Sequence, residues 1–201
     1  MSREAAGFAS GHRLLSMLTM RRPFLLASVA IVAVTVGFLL LMGRPPICTC
    51  GTITLWGPVG PTQSQMIADW YSPSHFIHGL IFYFFLWLLF RSWSVERRFL
   101  VALGVESLWE VVENTPLIID RYREATMALG YNGDSMLNSL SDIAMMAIGF
   151  FAAQRLPVWV SIVIAFGFEL LTLAVIRDNL ALNVWMLLFP SDAIRIWQAG
   201  A

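Results

Sequence analysis

Residues 101–114, VALGVESLWEVVEN, constrain this chain more than any other stretch. They place Glu106, Glu110 and Glu113 inside a segment whose surroundings are apolar enough to cross a membrane. At 100° per residue, the spacings i, i+4 and i+7 hold the three carboxylates within about 40° of Glu106 on one helical face. A charged side chain at the centre of a bilayer helix costs roughly 2.5 to 3.5 kcal/mol, so a stripe of three demands protein partners, protons or a cation. The fold must bring compensating groups to that stripe.

Composition sets the environment. The 201 residues are 58% apolar and only 13% charged, against about 25% charged in an ordinary soluble domain. The 13 basic residues, all arginine, balance 13 acids, which leaves no basic patch for nucleic acid. The expected fold is an all-α integral membrane protein with five transmembrane helices, a short C-terminal interfacial helix, and membrane lipid as its partner.

Taken in order, residues 1–22 form an arginine-bearing tail, and the apolar run 24–42 that follows is long enough to span a ~30 Å hydrocarbon core. Residues 43–74 are the longest extramembrane segment. Their proline and glycine punctuation predicts turns, with one small hairpin near TITLW. Cys48 and Cys50, two residues apart, are poorly placed to pair with each other. Further spans are expected over 75–90, 99–119, 135–153 and 158–176. The apolar stretch 180–189 is too short to cross, so 180–197 reads as interfacial. Residues 23–201 thus make one polytopic membrane domain. Eight arginines fall on one side of this arrangement and five on the other, which places the N-terminus in the cytoplasm.

This topology brings polar residues from four spans to one depth on the outward side. His75 and His78 begin the second span. Glu113, Glu110 and Glu106 lie about 9, 14 and 20 Å from the outer end of the third. Asp134, Asn138 and Asp142 enter the fourth as a stripe, and Glu169 lies about 10 Å from the outer end of the fifth. Two histidines on one face with carboxylates on facing helices is an inventory from which bundle metal sites are built. His75, His78, Glu110 and Asp142 are the candidate ligands for zinc or manganese. Glu110, Glu113, Asp142 and Glu169 are the candidate acid–base groups. The function this predicts is metal-assisted hydrolysis or group transfer on a lipid or lipid-linked substrate. Two alternatives stand beside it: acid–base chemistry without metal, and a non-enzymatic assembly factor, accessory subunit or small transporter whose polar residues form a structural hydrogen-bond network.

The motifs GRPPICTCG, DWYSPSHFIHG, ESLWEVVEN, RYREAT, YNGDSMLNSLSD, RLPVW and IRDNLALNVWMLL resemble an alphaproteobacterial family of multi-pass inner-membrane proteins of unknown function. More loosely, the order H-x-x-H-G, E-x-x-x-E, G-D-x-x-x-N-x-x-x-D resembles small VanZ-like membrane proteins. The family resemblance implies a bacterial inner-membrane location, in which the polar pocket faces the periplasm. It implies no activity.

Overall fold

The computed structural model describes residues 21–126 and 130–200; the expected N-terminal tail lies almost entirely outside them. The described residues form eight α-helices and one short 3₁₀ turn, with no strand. Four helices are long and apolar enough to cross a membrane: α1 (Arg22–Leu41), α2 (Ser72–Leu89), α5 (Met136–Arg155) and α6 (Val158–Ile176). A fifth long helix, α3 (Val95–Glu113), carries the glutamate stripe. Helices α4 (Pro116–Ala125), α7 (Leu180–Leu188) and α8 (Asp192–Ala199) are short. The fold is that of an all-α membrane protein.

Local chemistry sets the ends of the helices. Proline stands in the first turn of α1, α2 and α4, where its missing N–H costs nothing. The Ser94 hydroxyl caps α3 by accepting from Arg97 N, and that of Ser135 caps α5 by accepting from Asn138 N. Asn179 caps α7 through its side-chain carbonyl, which accepts from Leu182 N.

The expected third span, 99–119, is two helices. Helix α3 stops at Glu113, Thr115 is extended at φ −74°, ψ 151°, and Pro116 opens α4. Proline disfavours helical geometry in the residue before it, which explains the break.

Helices α2, α3 and α5 make the centre. Phe99, Ala102 and Leu103 of α3 pack with Ile143, Met146 and Phe150 of α5 in one buried cluster. The closest approach is between α2 and α5. A Cβ on Gly79 would lie 2.1 Å from the Met146 carbonyl oxygen, and one on Gly149 would lie 2.1 Å from that of Phe76. Only glycine lets these backbones touch, the small-residue packing that membrane helices use in place of a hydrophobic drive. By contrast α6 buries only Thr172, as a helix facing lipid does.

The connection between α1 and α2 departs from expectation twice. Instead of a hairpin it holds one isolated parallel bridge, Trp56 to Ala68, with the 3₁₀ turn Gln63–Gln65 between the two. Cys48 and Cys50 are joined by a disulfide. A tight turn, in which Gly51 N donates to Cys48 O and Gly51 takes φ 76°, brings their Cα atoms to 5.1 Å, within the range a disulfide spans.

This connection is fastened to the start of α5. Met136 N and Leu137 N donate to the carbonyls of Pro45 and Pro46. The Gln65 amide donates to Gly133 O and accepts from Thr49 N, while Ser135 Oγ donates to Gln65 O.

Candidate functional site

Helix α2 begins with an aspartate-centred turn. Asp69 Oδ1 accepts from Tyr71 N and Ser72 N, and the Ser72 hydroxyl accepts from Asp69 N. This turn fixes where α2 starts and therefore how deep its histidines sit. His75 and His78 lie three and six residues into the helix, about 5 and 9 Å at 1.5 Å per residue. Asp142 lies six residues into α5, also about 9 Å.

Because α3 ends at Glu113 rather than 119, its stripe moves toward the same depth. Glu106 is seven residues from that end, about 10 Å rather than the expected 20 Å. It faces both histidines: His75 Nδ1 is 2.6 Å from Glu106 Oε1, and His78 Nδ1 is 3.1 Å from Oε2. The candidate site read from the sequence leaves Glu106 out, since a span ending at 119 puts it too deep by nearly two turns. Pro116 was the available signal, since an interior proline ends a membrane helix as it does a soluble one.

Glu110 lies one turn away and is fully buried. Its Oε1 is 3.6 Å from His75 Nδ1, and neither of its oxygens has a hydrogen-bond partner among the described residues. On the other side of the imidazole, His75 Nε2 is 3.8 Å from Asp142 Oδ2, and Asp142 Oδ1 accepts from the Ser72 hydroxyl. Thus His75, His78, Glu110 and Asp142 come together as the sequence suggests, with His75 in contact with Glu106, Glu110 and Asp142 and Glu106 bridging the two histidines. Two donor sets share His75: His75, His78 and Glu106, and His75, Glu110 and Glu113, the ligating atoms in each lying within 4.8 Å of one another.

The structure places Glu169 elsewhere. Its two oxygens accept from Leu180 N and Ala181 N, the first amides of α7, so it serves as the cap of that helix. At the start of α5, Asp134 pairs with Asn114 through two hydrogen bonds and accepts from the Tyr131 hydroxyl. Burial pushes its carboxyl up to about 6, with Asp69 adding to the effect and Asn114 opposing it. Burial likewise raises Asp69, against the amides that bind it.

Residues with no protein partner extend beyond Glu110. Ser107 Oγ on α3, with Asn138 Nδ2 and Ser139 Oγ on α5, are buried and unpaired among the described residues. Buried polar groups in native proteins are paired in the great majority of cases, and an exception points to water or an ion.

Comparison with known proteins agrees with the family resemblance and adds nothing to the looser VanZ-like one. Residues 39–200 match the family described as "Protein of unknown function (DUF2585)". A UPF0314 protein of Sphingopyxis alaskensis is 54% identical over 177 residues, covering 87% of this chain and 94% of the relative. One from Paracoccus denitrificans is 52% identical over 186 residues, covering 92% and 96%. One from Agrobacterium fabrum is 55% identical over 159 residues, covering 78% and 80%. No solved structure matches. With four fifths of its length matched by one family and its relatives sharing half their residues, the chain belongs to the DUF2585 family, the UPF0314 proteins of alphaproteobacteria.

Proposed function

We propose that the protein is a membrane-embedded, metal-assisted hydrolase or transferase acting on a lipid or lipid-linked substrate. The observation that carries this reading is Glu110, whose carboxylate is fully buried with no hydrogen bond among the described residues, 3.6 Å from a histidine already bonded to Glu106. A carboxylate glue residue would have found a donor. One left free beside a two-histidine, one-glutamate set is arranged as a general base beside a metal centre.

The donor chemistry fits a zinc- or manganese-class ion. His75, His78 and Glu106 would hold it, a set of two histidines and one carboxylate that leaves a position open. Such an ion supplies Lewis acidity and lowers the pKa of bound water. The chain's own residues do the rest. Asp142, held by Ser72, faces the far nitrogen of His75 and keeps the ring from turning. Glu110 would act as the general base, taking a proton from the attacking water and returning it to the leaving group. The apolar flanks of α2 and α5 admit a substrate from the lipid side rather than from bulk water. The arginine bias favours a periplasm-facing site in the inner membrane with the N-terminus in the cytoplasm.

The test is elemental mass spectrometry on untagged protein in mild detergent. Near-stoichiometric zinc or manganese is expected, absent from His75→Ala/His78→Ala and retained in Glu110→Gln. In cells lacking the protein, Glu110→Gln and His78→Ala should both fail to restore the wild-type lipid profile. Full restoration by both would overturn the enzymatic reading.

A further inference from the structure

The connection between α1 and α2 holds a reactive bond that the metal-site reading leaves unused, the Cys48–Cys50 disulfide. A cross-link stabilises a fold mainly through the loop it closes. This loop contains Thr49 alone, so the bond removes little freedom from the unfolded chain. The segment is also held by other means. Met136 N and Leu137 N donate to the carbonyls of Pro45 and Pro46, Gly51 N donates to Cys48 O, and Thr49 N donates to Gln65 Oε1. With these bonds in place the turn keeps its shape, and the two sulfurs stay neighbours whether or not they are joined.

The two cysteines differ in the way that disulfide exchange requires. Cys48 is buried, at 2% exposure, whereas Cys50 is exposed. Space beside Cys50 is open, since a Cβ on Gly51 would meet no atom within 4 Å. The Cys50 amide donates to Cys48 Sγ at 3.2 Å, and the Thr52 hydroxyl lies 3.0 Å from Cys50 Sγ. An incoming thiolate therefore reaches Cys50 and not Cys48. The sulfur it displaces, that of Cys48, already has a backbone donor to take up its negative charge.

We infer that Cys48 and Cys50 form a thiol–disulfide exchange site that oxidises a dithiol. The partner's first thiolate bonds to Cys50 Sγ and breaks the Cys48–Cys50 bond, leaving the electron pair on Cys48. The partner's second thiolate then attacks its own first sulfur, closes the partner's disulfide and releases Cys50. The partner dithiol is oxidised to a disulfide, the disulfide of this chain is reduced to two thiols, and the two protons pass through water to Cys48 and Cys50. A monothiol is a poor substrate, because Cys48, two residues away, expels it from Cys50 before a second molecule arrives; a dithiol carries its second thiol with it. The inference is independent of the metal site, whose two donor sets contain no cysteine.

The test mixes oxidised full-length protein in mild detergent with reduced thioredoxin, a protein dithiol, or with glutathione at the same thiol concentration, and counts alkylated cysteines by mass. Thioredoxin should reduce the bond more than about tenfold faster than glutathione. In the reduced chain, limiting iodoacetamide should label Cys50 more than about tenfold faster than Cys48. Reduction should lower the melting temperature by less than about 5 °C. Resistance of the bond to thioredoxin, equal labelling of the two cysteines, or a larger drop in melting temperature would each overturn the proposal, the last by making the bond a structural staple. Equal rates with thioredoxin and glutathione would overturn the assignment to a dithiol.

Discussion

The cluster between α2, α3 and α5 and the junction between α6 and α7 answer one problem in two ways. Each has a glutamate on a long helix, α3 in the cluster and α6 at the junction. At the junction, Glu169 meets the first two amides of α7. Those donors are fixed by the backbone and cannot lose a proton. In the cluster, Glu106 meets two imidazoles, and Glu110 lies 3.6 Å from one of them with no hydrogen bond among the described residues. Those partners titrate, exchange protons and bind metals. A carboxylate matched to backbone amides holds structure together, whereas one matched to other titratable side chains is available for chemistry.

The strongest way to break this contrast is to separate α2 from α5. Gly149→Val drives a side chain into the Phe76 backbone, and no rotamer change relieves it. Stability should fall by more than about 4 kcal/mol, read as an early melting transition in the fluorescence of the tryptophans. Bound metal should be lost with it, while the α6–α7 junction keeps its own contacts.

Removing the centre of the cluster comes next. Glu106→Ala leaves two facing histidines without their shared acceptor and should cost about 3 to 5 kcal/mol. Glu106→Gln, which keeps the volume, should lose metal at a smaller cost. Metal retained at full occupancy in Glu106→Gln would move the ligand set to His75, Glu110 and Glu113.

Asp134 gives the pH dependence of the rim. Its folded value of about 6 lies above the ordinary 3.8, so the folded chain holds this proton more tightly than the unfolded chain. The resulting stabilisation is full below about pH 4 and is lost as the pH rises through about 6, a change on the order of 3 kcal/mol. Melting temperature should fall across that window, and Asp134→Asn should flatten the slope. The smallest effect belongs to Glu169→Gln, which keeps one acceptor for α7 and should cost about 1 kcal/mol with metal content unchanged. Loss of metal in that variant would erase the distinction between the two regions.

Much of this was legible beforehand. Apolar run lengths predict the membrane helices, and helical spacing predicts that His75, His78, Glu110 and Asp142 converge. What escaped depends on contacts no local pattern encodes. The centrality of Glu106 depends on where α3 stops, and the run 99–119 is apolar enough to hide the break at Thr115. The cap role of Glu169 requires the turn at 177–179 to bring the first amides of α7 back to the α6 side chain, a tertiary event with no periodic trace. The Cys48–Cys50 bond depends on a turn at Gly51 that spacing alone does not reveal.

The way the helices begin at the histidine end carries one more consequence. Two amides of α5 are taken by Pro45 and Pro46, those of α2 by Asp69 and Tyr71, and those of α7 by Glu169 and Asn179. Helix N-termini ordinarily welcome anions. Here the first amides of three helices already have protein acceptors, so a phosphate approaching this face finds no backbone cradle at them and would have to be recognised by side chains alone.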